Sequence, residues 1–132
     1  MVKIIQTKGK RKRAVARATL KEGNGKIRVN GQLLNVIEPK LARLKIREPL
    51  LLAEEVADKV DISVNVCGGG MMSQADAVRL AIAKSLVAHT KKLEKPFLEY
   101  DRQLLVADVR RKETVKPNRH GKARSKRQKS YR

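Results

Sequence analysis

The last seventeen residues, 116–132, limit what the rest of the chain can become. They hold eight lysines and arginines, no acid, and only Pro117, Ala123 and Tyr131 as carbon-rich side chains. Such a segment cannot bury enough apolar surface to offset the entropy of ordering itself. Any core must therefore come from the residues ahead of it, and that leaves room for one small domain. The charge pattern draws the same boundary. Residues 110–132 carry a net +10, residues 8–28 a net +8, and residues 29–109 are neutral, within a total of +19. The sequence reads as a globular domain over 1–109 and a basic tail over 110–132, disordered when free and ordered on a polyanion.

Positive charge gathered into two blocks implies a docking face for nucleic acid or an anionic membrane. The membrane is the weaker partner, because no apolar run approaches the roughly 20 residues that span a bilayer. Met1-Val2-Lys3-Ile4-Ile5 is followed at once by polar and basic residues, which argues against a signal peptide. A single cysteine, Cys67, excludes an internal disulfide and suits a reducing, cytoplasmic location.

Along the chain, residues 2–8 read as a short strand. From Arg13 the alternation is clear: Ala14, Ala16, Ala18 and Leu20 point one way, while Arg11, Arg13, Val15, Arg17, Thr19 and Lys21 point the other. The inward alanines suit close approach by a helix. Glu22-Gly23-Asn24-Gly25 is a turn signal, with residues 26–29 expected to return as the hairpin partner. Asn30-Gly31 is a second turn signal. Two Glu-Pro pairs, at 38–39 and 48–49, each read as a helix opening, with Leu41 and Leu44 inside the first. Ile62, Val64 and Val66 mark the core face of a later strand. Ser73 and Asp76 fit a capping box that opens the best helix, with Val78, Ala81, Ile82, Ser85, Leu86 and His89 on its apolar stripe and Pro96 as its stop. Residues 97–108 read as a short helix packed through Leu98, Leu104 and Leu105. The pattern is α+β: one twisted sheet with helices on one face.

No catalytic constellation, metal site or cofactor site is visible. Cys67 has no second cysteine or nearby histidine and reads as a buried structural thiol. Glu54 and Glu55 are adjacent and diverge on a helix. Gly68, Gly69 and Gly70 before Ser73 form either a tight strand-to-helix turn or a nest of N–H groups for a phosphate. The functional candidates are cations. Lys10, Arg11, Lys12, Arg13 and Arg17 offer fixed charges. Arg110, Arg111, Lys112, Lys116, Arg119, Lys122, Arg124, Lys126 and Arg127 offer mobile ones. Few aromatics are present, so RNA affinity would come from phosphate neutralisation, with Tyr131 placed to stack on a base.

Three motifs carry a resemblance over essentially the whole length: G-K-R-K-R-A-V-A-R-A at 9–18, G-G-G-M-M-S-Q-A-D-A-V-R-L-A-I-A-K-S-L at 68–86, and D-x-R-x-x-E at 108–113 followed by the tail with G-K-A-R. The chain resembles the universal ninth-protein family of the small ribosomal subunit. Its Lys-Ser-Tyr-Arg ending is similar to archaeal and eukaryotic members. The resemblance implies a ribosomal S5 domain 2-like fold in the head of the subunit, bound to 3′-domain small-subunit rRNA and flanked by neighbouring ribosomal proteins of the head. It also implies that the tail tip, Lys129, Ser130, Tyr131 and Arg132, touches the anticodon stem-loop of P-site tRNA. Two alternatives stand beside it: an enzyme subunit like the basic protein of ribonuclease P, and a DNA-compacting or regulatory protein.

Overall fold

The computed structural model describes residues 2–124. Five strands form one mixed sheet: β1 (Ile5–Arg11), β2 (Ala14–Glu22), β3 (Ile27–Val29), β4 (Gln32–Leu33) and β5 (Val60–Cys67). Their order is β1-β2-β5-β3-β4. Four helices accompany them: α1 (Lys40–Ala53), the single turn α2 (Glu55–Asp58), α3 (Met71–His89) and α4 (Glu94–Tyr100). The α+β architecture agrees with the sequence reading.

The alanine face of β2 behaves as its composition predicts. Ala14, Ala16, Ala18 and Leu20 are buried under α3, alongside Val60, Ile62 and Val64 of β5. Small side chains let helix and sheet approach closely, and β1 goes further by placing Gly9 against the α3 backbone. Beside it the Thr7 hydroxyl donates to the Ala81 carbonyl oxygen at 2.8 Å. On the far side of α3 lies α1. Because α3 is covered from both sides, Ala75, Ala77, Leu80 and Ala83 are buried in addition to the expected stripe. His89 is half-buried, with its Nδ1 3.0 Å from the Thr90 hydroxyl.

Several local expectations are overturned. The first strand begins at Ile5, and the hairpin partner of β2 is β1, through a tight turn at Lys12 and Arg13. The expected β2–β3 hairpin does not form, because β5 lies between them, antiparallel to β2 and parallel to β3. Burial explains the choice. β5 brings three fully buried β-branched side chains to the centre, whereas β3 is only three residues long. The Asn30-Gly31 signal does make a hairpin, with both residues at positive φ, joining β3 to β4.

The two Glu-Pro helices are one and a fragment. Pro49 sits inside α1, which runs from Lys40 to Ala53. A proline there forfeits a hydrogen bond, at about 3 kcal/mol, but Ala42, Ile46, Pro49 and Ala53 form one continuous buried stripe. Leu41 and Leu44, expected inside, are exposed. There is no capping box either. Gly70 is the N-cap of α3, Ser73 is already within the helix, and Asp76 faces Lys45. Pro96 does not stop α3, which ends at His89; it falls in the first turn of α4. Phe97, rather than Leu98, is the core residue of α4, while Leu104 is buried as expected. Cys67 is exposed rather than buried.

Candidate nucleic-acid interface

The face of the sheet away from α3 carries five exposed cations: Lys8 and Lys10 on β1, Arg17 and Lys21 on β2, and Arg28 on β3. The register sets Lys8 directly opposite Arg17, and like charges so placed repel. Asn65 lies opposite Arg17, and Ser63 pairs with Thr19 on one side and Arg28 on the other. Amide and hydroxyl groups thus fill the spaces between charges. A shallow depression of about 470 Å³ runs past Thr19, Lys21, Arg28 and Ser63. The acid at its end, Asp61, is engaged by the backbone N–H groups of Asn24 and Lys26, each at 2.9 Å. Those bonds, Lys26 first, hold its pKa below the ordinary carboxylate value. A polyanion lying across this face would relieve the Lys8–Arg17 repulsion without any rearrangement.

A second basic surface begins at the β1–β2 turn, where Lys12 takes a positive φ and Arg13 is exposed. Gly68 and Gly69, at φ of +78° and +66°, carry β5 over this turn; a Cβ on Gly68 would lie 2.6 Å from the Arg13 carbonyl oxygen. The glycines therefore make the tight turn first. Immediately beyond it the N-terminus of α3 presents the N–H groups of Met71, Met72 and Ser73, which have no helical carbonyl behind them. A groove of about 1000 Å³ joins Gly69, Gly70 and Ser73 to Lys12, Arg13, Arg110, Arg111 and Lys112. The two basic blocks, separated in sequence, meet here, and Arg111 Nη1 donates to the Lys12 carbonyl oxygen at 2.8 Å.

Arg11 is not one of the outward cations. It stands on the helix side of the sheet edge, with Nη1 2.5 Å from Asp108 Oδ2 and Nε 3.7 Å from Asp76 Oδ2. Lys45 Nζ reaches the other Asp76 oxygen at 3.1 Å. Next to this cluster Arg79 bridges Glu48 and Asp101, the latter at 3.0 Å. The two clusters clamp residues 101–108 onto β1 and α3, so the tail departs from a fixed point. The Asp108 carboxyl is held far below the ordinary range, chiefly by hydrogen bonds from the Arg110 side chain and backbone, then by the charges of Arg11 and Arg110. Asp101 is lowered too, first by the Gln103 N–H and then by Arg79.

Both folded pKa values lie beneath the unfolded one of about 3.9, so the stability these groups contribute is complete above that value and lost as pH falls through the folded ones. Amide exchange across pH 6 to 2 should therefore show residues 102–106 losing protection before β2 does. In Asp108→Asn much of that pH dependence should be gone. Simultaneous loss in both segments would show that the clamp is not a separate unit.

Beyond the clamp, residues 109–116 have no regular structure and residues 117–124 run through turns and bends. Lys112, Lys116, Arg119, Lys122 and Arg124 are all exposed. Arg124 pairs with Glu113 at 2.6 and 2.9 Å, and Lys116 Nζ reaches the Ala123 carbonyl oxygen at 3.2 Å. Lys126, Arg127, Lys129, Ser130, Tyr131 and Arg132 lie outside the described residues. Lys8, Lys21 and Arg28 stand on this basic face, although the sequence reading does not name them among its candidates. Their alternation with buried neighbours was visible, but the face they share is defined only by strand register. Among the described residues no helix is long and apolar enough to cross a membrane.

Residues 9–132 match the family model described as ribosomal protein S9/S16. The small ribosomal subunit protein uS9 of Methanococcus maripaludis strain C7 is 50% identical over 134 residues, covering 99% of this chain and 100% of the relative. That of Methanococcus vannielii is 48% identical with the same coverage. The match places the chain in the ribosomal protein S9/S16 family, as a structural, non-enzymatic component of the small ribosomal subunit.

Proposed function

We propose that this chain binds 3′-domain small-subunit rRNA in the head of a cytoplasmic ribosome through two surfaces of its folded domain. The tail then continues as an extended, RNA-ordered segment to P-site tRNA. The observation that carries the proposal is the meeting of the two basic blocks at one groove beside the uncapped start of α3. Phosphates fit there because backbone N–H groups, the helix dipole and exposed guanidinium groups all favour an anion. The sheet face supplies further fixed charges, and the clamp around Asp108 aims the tail. Neighbouring proteins of the head complete the set of partners. Bulk affinity comes from phosphate neutralisation, so it should be strongly salt-dependent.

A division of labour follows. Removing residues 129–132 deletes Lys129, Ser130, Tyr131 and Arg132 but leaves the sheet face and the α3 groove intact. Shortened chains should enter small subunits normally, as judged by co-sedimentation. Those subunits should release P-site tRNA about tenfold faster, since a few screened phosphate contacts are worth on the order of 1 kcal/mol in total. Arg132→Ala should give part of the effect, and Tyr131→Phe little if the ring stacks. Unchanged tRNA release from normal subunits would make the tip an rRNA clamp only, and failed assembly would make the tail structural.

A further inference from the structure

At the β4 end of the sheet, a groove of about 740 Å³ opens between that strand and the end of α1. Leu33, Leu50 and Leu51 line it; Leu51 is 73% exposed and Leu33 47%. Its α1–α2 side carries Glu54, Glu55 and Asp58, all exposed and in no ion pair among the described residues. Lys26 and Arg47 also line the groove, so its charged lining comes to a net −1 on a chain of net charge +19, a local balance that disfavours phosphate. Glu54 also holds φ 50° and ψ −119°, a conformation that L side chains rarely adopt and that clusters at binding sites.

We propose that this groove docks a basic segment of a neighbouring protein of the subunit, an inference that rests on the small-subunit reading above. An aliphatic or aromatic side chain of the segment enters among the three leucines, and lysines or arginines on either side of it pair with Glu54, Glu55 and Asp58. The size of the site favours a chain segment over a second folded copy. Three leucine side chains supply far less than the roughly 800 Å² per partner that stable complexes of folded surfaces bury. The arrangement of an apolar anchor with a charged rim is that of a peptide-docking groove.

The test uses small subunits purified from cells carrying a tagged copy of the full chain. Carbodiimide with glycine ethyl ester labels accessible carboxylates, and mass spectrometry compares the free protein with the assembled subunit. Labelling at Glu54, Glu55 and Asp58 should fall at least fivefold on assembly. Carbodiimide without the added amine should join at least one of them to a lysine of another protein. Leu51→Asp, a change at an exposed position, should still assemble but lower that cross-link yield at least fivefold. Equal labelling in both states, cross-links confined to this chain, protection by RNA without a protein cross-link, or an unchanged yield in Leu51→Asp would each overturn the proposal. A chain absent from the subunit fraction would overturn the small-subunit reading and this inference together. A chain that is present but fully labelled would overturn the inference alone.

Discussion

Gly9→Ala should destabilise the domain by about 3 kcal/mol or more, the upper end of what overpacking usually costs. A Cβ at Gly9 would stand 2.2 Å from the Ala77 carbonyl oxygen and 2.8 Å from the Ala81 backbone nitrogen. Both neighbours belong to the backbone of a buried helix, so no flexible side chain can swing away. Relief would require lifting β1 off α3, which would also break the Thr7–Ala81 hydrogen bond. The fully buried Ala16, opposite Gly9 in the ladder, would be uncovered in turn. Urea melts of the two proteins would measure the difference. A loss below about 1 kcal/mol would mean that strand and helix are less tightly seated than their geometry indicates. By comparison, Gly31→Ala meets no atom within 4 Å, and its penalty should be limited to the positive φ.

The triple change Lys8→Ala, Arg17→Ala and Arg28→Ala should lower rRNA affinity on the order of 100-fold at moderate salt, at about 1 kcal/mol for each lost charge-assisted contact. The slope of log K against log salt should flatten by roughly 2 to 3 units. All three side chains are exposed on the uncovered face, so the fold should survive. The thermal midpoint should hold or rise slightly, because the Lys8–Arg17 repulsion disappears. Arg11→Ala should behave in the opposite manner. It leaves the buried Asp108 carboxylate without one of its partners and loosens the clamp, so stability should fall while the salt slope changes little. If the triple variant binds with an unaltered slope, RNA does not lie across the sheet, and the groove at the start of α3 is the remaining domain surface. A lost fold in the triple variant would instead show that these cations hold the sheet together.

Local chemistry was readable from the chain. Alternation of alanine with charged residues identified β2 and which side of it is buried, because side chains on a strand point to opposite faces in turn. The same rule found β5. Sustained apolar spacing found α3, and Asn30-Gly31 was legible as a turn, which the structure closes into the β3–β4 hairpin. The division into a neutral domain with basic blocks, and the motifs at 9–18 and 68–86 that carry the family, needed no coordinates either. Charge segregation by itself left nucleic acid and an anionic membrane both open, with the membrane the weaker.

Strand order, helix continuity and charge pairing were decided only by the tertiary structure. Alternation reports which face of a strand is buried but not which strand lies beside it, so the insertion of β5 between β2 and β3 rests on the burial of Val60, Ile62 and Val64. Pro49 reads locally as a helix start, and only the buried stripe of α1 against α3 carries the helix through it. Arg11 looks like every other arginine in its basic run until the fold brings Asp108, 97 positions away, to within 2.5 Å. Lys8, Arg17 and Arg28 become one surface because ladder register sets them on the same side of three different strands. Each of these depends on contacts between distant parts of the chain, whose energies outweigh local preference and leave no mark in local sequence.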